Sequence, residues 1–151
     1  MRNRQKQGER TELIYTSYFA QLRNLPDNVI PISICGKAPE FYKGLQYKKV
    51  APKYGFFMEW KKNHDNDFYI EHYNDEVLSK LNPYGVVLEL YDLLSDEQKQ
   101  VLKSEGCQKW HSQKIHIALI CYEKPSDFCH RHLLAKWLNA YGFECREWVK
   151  E

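Results

Sequence analysis

Apolar and polar positions along this chain alternate between two periods, and the alternation predicts an interleaved set of strands and helices. Leu13-Ile14-Tyr15-Thr16-Ser17-Tyr18 is rich in β-branched and aromatic residues and reads as a strand. Phe19 to Arg23 reads as a short turn of helix. Val29 to Cys35 is a continuous apolar run that stops at Gly36, the pattern of a strand buried on both faces. Pro31 interrupts that run and predicts an edge position or a strand start, because proline has no N–H to give a ladder. Lys37 to Tyr54, with Pro39, Gly44 and Pro52, reads as a long irregular connection. Helices are predicted from Tyr54 to Asn63 and from Asp67 to Leu81. In the second, Phe68, Ile70, Tyr73, Val77, Leu78 and Leu81 fall on one face. Val87, Leu90, Tyr91 and Leu94 fall at i, i+3, i+4 and i+7, so Tyr84 to Leu94 is read as helix, with Pro83 at its first position. Ser95-Asp96-Glu97-Gln98 has the form of a cap and first turn leading into Lys99 to Ser104, with Gly106 as the stop.

The C-terminal third carries the clearest pattern. Ile115 to Tyr122 is a core strand by length and content. Ser126 or Asp127 is placed to cap a helix that begins near Phe128 and buries Leu134, Trp137, Leu138 and Tyr141 before Gly142 ends it. Phe143 to Val149 is the last predicted strand. A buried strand that feeds a helix returning to another strand makes a parallel pair. The class is therefore α/β, a small sandwich with a largely parallel sheet.

Composition narrows the picture. The 151 residues suit one domain, read as residues 11–151 behind a basic arm at 1–10 that holds Arg2, Arg4, Lys6 and Arg10. With 43% hydrophobic and 15% aromatic residues the chain is no disordered tail, and no apolar run approaches a membrane span. Net charge is +2, which argues against a wide basic face made for nucleic acid. Five widely spaced cysteines and a polar start without a signal peptide predict reduced thiols in the cytoplasm.

Candidate chemistry gathers in Cys121-Tyr122-Glu123-Lys124-Pro125-Ser126-Asp127-Phe128-Cys129-His130-Arg131. This turn follows a core strand at its carboxyl end, where open α/β sheets bind ligands. A cysteine in a first helical turn meets free N–H groups and the positive end of the helix dipole, which favour a thiolate or a bound anion. Cys129 is the candidate nucleophile, and Glu123 and His130 are its acid/base partners. Arg131 is the candidate anion clamp. Tyr122 and the strand-end residues Thr16, Ser17 and Lys37 are expected to line the same crevice. The opposing reading makes Cys129 a small core residue and Arg131 a structural ion pair with Glu123.

The segment ALICYEKPSDFCHRHLLAKWL resembles the C-terminal signature of the domain-of-unknown-function 488 family, in which an apolar strand ends in Cys-Tyr-Glu and Cys-His-Arg opens a helix. Leu13 to Tyr18 is similar to the family's first strand. At Ile32 to Pro39, where many members have an Asp-x-Arg element, this chain has no Asp and carries Lys37, so it resembles a divergent branch found in phages and mobile elements. The resemblance implies a small Rossmann-like α/β domain and assigns no reaction.

The leading expectation is a domain that binds a small anionic, nucleotide-like ligand, with Cys-dependent chemistry at the Cys-His-Arg turn. The alternatives are a non-catalytic interaction module and a protein that contacts nucleic acid through the Lys/Tyr-rich segment 42–62. No cofactor is expected. No structural metal is expected either. Cys107 with His111 and Cys129 with His132 are the pairs at ligand spacing, and His116 and Cys121 have opposite parity on one strand.

Overall fold

The computed structural model describes residues 13–103 and 114–150. Five strands form one sheet: β1 (Leu13–Tyr18), β2 (Val29–Ser33), β3 (Leu45–Gln46), β4 (His116–Cys121) and β5 (Glu144–Glu147). The order is β3-β2-β4-β1-β5 and every pairing is parallel. Helices α1 (Tyr54–Asn63), α2 (Asn66–Glu76), α3 (Pro83–Asp92) and α4 (Asp96–Lys103) lie between β3 and β4 in the chain, and α5 (His130–Ala140) lies between β4 and β5. The small Rossmann-like α/β expectation holds.

β4 is the central strand, so its run is apolar on both faces. Ile117, Ala118, Leu119, Ile120 and Cys121 are all buried. Each fully buried Ile or Leu of this kind stabilises the fold by about 1.5–3 kcal/mol. Thr16 lies level with Leu119 on one side and Glu147 on the other, and Tyr18 with Cys121. Residues so matched share a sheet face, and α5 covers this one with Leu134 and Leu138, both fully buried.

Pro31 sits inside β2, which is flanked on both sides rather than lying at the edge. Ile34 donates to Ile120 of β4, while Ser33 accepts from Tyr47 on the opposite side. By alternation Pro31 faces the β3 side as well, but β3 matches only Ile32 and Ser33. The missing donor therefore falls just outside the ladder.

Other elements differ from the pattern in instructive ways. The connection after β2 is not structureless: it contains β3 and a 3-10 turn at Lys48–Val50. A two-residue strand leaves no periodicity to read. The helix predicted over 67–81 starts one residue earlier, with Asp65 accepting from the Phe68 N–H as N-cap, and ends at Glu76, where a 3-10 turn at Leu78–Lys80 takes over. Val77 and Leu78 stay buried there, which extends the helical apolar stripe beyond the helix itself, while Ser79 and Lys80 are exposed. α5 starts later than expected because Cys129, not Ser126 or Asp127, is its N-cap. Gly142 ends the helix region at φ +95°, a backbone conformation that glycine adopts freely. The last strand is the shorter Glu144–Glu147. Ser95 and Gln98 form a reciprocal capping box at the start of α4. Gly106, the predicted stop, lies outside the described residues, as does the basic arm at 1–10.

Asn82 caps α3, its side-chain oxygen accepting from the N–H groups of Tyr84 and Gly85 at 2.8 and 3.1 Å, with Pro83 just inside. Asn82→Ala should lower stability by about 1 kcal/mol, read as a lower urea midpoint with an unchanged slope. A midpoint equal to that of the wild type would mean the cap contributes nothing.

Candidate functional site

β2 and β4 are neighbours whose chains leave in opposite directions. β2 leads outward to β3, whereas β4 leads over β1 to β5. Such divergence opens a crevice at the carboxyl ends of the two strands. A cavity of about 520 Å³ lies there. Cys35, Gly36 and Lys37 reach it from the end of β2, and Cys121, Tyr122 and Glu123 from the end of β4. Phe128, Cys129 and His130 close it from the start of α5. Its remaining wall is apolar and aromatic: Pro52, Tyr54, Phe57, Trp60 and Tyr69. Trp60 and Tyr69 each pack on Phe128, with ring centroids 5.6 and 4.9 Å apart.

The chemistry-bearing side chains meet beside this wall. The donor atoms of Cys121, Glu123 and Cys129 all lie within 4.8 Å of one another. The two sulfurs are in contact, yet the α-carbons of Cys121 and Cys129 are 7.8 Å apart. A disulfide spans about 4.4–6.8 Å between α-carbons, so this backbone holds two thiols facing each other. Glu123 is exposed and Cys121 and Cys129 are buried. Cys129 accepts the Arg131 backbone N–H at 3.5 Å.

His130 is buried, with Nε2 2.9 Å from the Ile34 carbonyl oxygen. A carbonyl only accepts, so Nε2 carries the hydrogen and Nδ1 keeps its lone pair, 3.9 Å from the Cys129 sulfur. Burial, reinforced by the Arg131 charge, drives the imidazole down to about 4. It is therefore a neutral ring at pH 7, and its surroundings make it a weak base.

Arg131 is fully buried and does not line the cavity. Its Nε and Nη2 donate to the two carboxylate oxygens of Glu147 at 3.1 and 2.9 Å. Nη1 donates to the Cys121 sulfur at 2.9 Å and to the Glu123 carbonyl at 2.7 Å. Thr16 donates its hydroxyl to the same Glu147 carboxylate at 2.7 Å. Arg131 thus ties β1, β5 and the turn after β4 together beneath the cavity, and its ion-pair partner is Glu147 rather than Glu123. Thr16 and Ser17 are buried in β1 and also stand outside the lining. Lys37 and Tyr122 do line it, and the Tyr122 hydroxyl donates to the Lys37 carbonyl at 2.7 Å across the two strand ends.

The structure therefore brings Cys129, His130, Glu123, Lys37 and Tyr122 to the cavity lining and leaves Arg131, Thr16 and Ser17 outside it, with Arg131 bonded to the site from behind. Sequence reasoning missed Trp60, Tyr69 and Phe128, whose spacing resembles ordinary core. It also missed Cys35, whose thiol burial pushes up to about 12. In the Lys/Tyr-rich segment, Tyr42 and Tyr47 are buried and their hydroxyls donate to Leu45 and Glu89, so neither offers a free face for a base. Tyr54 is 76% exposed at the cavity. Cys107 and His111 lie outside the described residues, and His132 is not part of the Cys121-Glu123-Cys129 group.

These features define a small α/β domain whose parallel sheet carries a thiol-bearing, aromatic-walled cavity at its switch point. Residues 23–142 match the family model described as "Active DUF488-N3 subclade". The chain belongs to this family, a branch of the domain-of-unknown-function 488 proteins. No curated protein and no solved structure matches it. Among the described residues no helix is long and apolar enough to cross a membrane.

Proposed function

We propose that this protein is an enzyme that takes a small ring-bearing, nucleotide-like ligand into the cavity and acts on it through the group at the end of β4 and the start of α5. The observation that carries this reading is the convergence of Cys121, Glu123 and Cys129 on the same cavity as Trp60, Tyr69 and Phe128. Aromatic walls stack on planar rings, an interaction worth about 1–3 kcal/mol per base in other proteins. Lys37 brings a positive charge to the lining and suits an anionic substituent on the ring. Glu123, exposed beside the two thiols, is available for proton transfer, and neutral His130 sets its Nδ1 lone pair 3.9 Å from the Cys129 sulfur. The word "Active" in the family description agrees with a catalytic reading.

The test is a fluorescence and calorimetric titration with a panel of nucleosides and their mono- and diphosphates. At least one member should bind saturably. Trp60→Leu should weaken that binding about tenfold or more while the protein stays folded, and Lys37→Ala should weaken phosphorylated members more than the bare nucleosides. If no member binds the folded wild type, or if Trp60→Leu binds as well as wild type, the reading fails.

A further inference from the structure

The two sulfurs at the cavity are surrounded by donors of the kind that stabilise thiolates. The Arg131 guanidinium donates to Cys121 at 2.9 Å, a charge-assisted contact. The backbone N–H of Arg131, at the start of α5, donates to Cys129. Glu123 adds a carboxylate, its Oε1 4.0 Å from the Cys121 sulfur. Three groups that carry negative charge when ionised therefore converge, while the charge of the nearest guanidinium is balanced by Glu147 at 2.9 Å. Anions packed this closely repel unless a proton, a covalent bond or a cation joins them. The 7.8 Å between the two α-carbons disfavours the covalent bond.

We propose that Cys121, Cys129 and Glu123 bind a thiophilic divalent cation of the zinc class, with the fourth coordination position open to the cavity. This rests on the proposed catalytic reading and names its cofactor, against the sequence expectation of none. Two thiolates select a soft or borderline metal over magnesium or calcium. Bonds of about 2.3 Å to sulfur and 2.0–2.2 Å to oxygen set donors roughly 3.5–4 Å apart. The three donors already lie within 4.8 Å of one another, close to that spacing. Three protein ligands with one open position is the arrangement of catalytic rather than structural zinc. Arg131 orients Cys121 from behind, the outer support that metal thiolates use. On binding, each thiol that is still protonated loses its proton to solvent as its sulfur–metal bond forms, so uptake of the metal releases up to two protons.

The experiment uses the full chain, reduced, stripped with a chelator and titrated with zinc in competition with a chromophoric chelator. One zinc per chain should bind tighter than micromolar, with proton release that pH-stat titration records. Cys121→Ser and Cys129→Ser should each weaken binding at least about 100-fold, and Glu123→Gln about tenfold. Cys35→Ser and the Cys107→Ser/His111→Ala double variant should bind as wild type. Cobalt should give a thiolate charge-transfer band that weakens in each single Ser variant at 121 or 129 and is lost in the double variant. Absence of stoichiometric binding in the reduced wild type overturns the proposal, as does binding that survives in Cys121→Ser and Cys129→Ser. Isolation of a stable Cys121–Cys129 disulfide under reducing conditions also overturns it. The nucleotide panel run on the zinc-free protein separates the two readings, since stacking on Trp60 needs no metal.

Discussion

Arg131→Met should destabilise the protein by about 3–5 kcal/mol, a large share of the roughly 5–15 kcal/mol that holds a domain of this size together. Removing the guanidinium leaves the Glu147 carboxylate, whose side chain is 21% exposed, without its ion-pair partner. It also strips the Glu123 carbonyl of a donor. The damage is that of an unmatched charge rather than of lost volume. The double variant Arg131→Met/Glu147→Leu should therefore recover much of the loss, because replacing both partners of a buried pair is far milder than removing one. Chemical denaturation of the two variants beside the wild type decides it. If the double variant is as unstable as the sum of two damaging single changes, Arg131 acts through its contacts with Cys121 and Glu123 instead of through Glu147.

Cys35 and Cys145 should react with iodoacetamide in the native protein about 1000-fold more slowly at pH 8 than unperturbed thiols do. Burial pushes both up to about 12, so the thiolate fraction at pH 8 falls to about one in ten thousand. Unfolding in urea should abolish the difference. The linkage has a definite sign. A thiol whose value is raised by folding favours the folded state below about pH 9 and loses that advantage as pH rises towards 12. Stability should therefore decline on the alkaline side, and Cys145→Ala should decline less steeply. Rapid native labelling of Cys35 at neutral pH would show that the cavity wets it far more than its 5% exposure implies.

The elements that the sequence made legible are those with long periodic patterns. β4 and α3 are readable because burial imposes their apolar spacing, and Pro83 and Gly142 act locally whatever the tertiary setting. β3 was not readable, since two residues carry no period. The start of α5 was misplaced because Ser126 and Asp127 are stronger caps than cysteine, and only the packed turn after β4 selects Cys129. For the site, the Cys-His-Arg cluster marked the right turn, but its members divide in three dimensions. His130 and Arg131 are neighbours in sequence. One faces the Ile34 carbonyl beside the cavity, and the other runs under the sheet end to Glu147. Glu147 lies 16 residues from Arg131 with no local pattern to announce the pair. The aromatic wall was hidden for a different reason: Trp60, Tyr69 and Phe128 have the spacing of packing residues and do pack on one another, and only the divergence of β2 from β4 leaves them facing space.

The position of Pro31 also bears on how the molecule avoids sticking to its own kind. Because β3 covers so little of β2, the stretch from Val29 to Pro31 leaves the outer flank of the sheet without a covering strand. Open flanks recruit strands from other chains by offering a row of donors and acceptors. At Pro31 there is no N–H to offer, and its carbonyl oxygen already accepts the Tyr42 hydroxyl at 3.2 Å. An intruding strand meets no donor at that level of the flank and an acceptor already engaged, so the residue that looked like a flaw in a core strand makes this short edge a poorer template for strand addition.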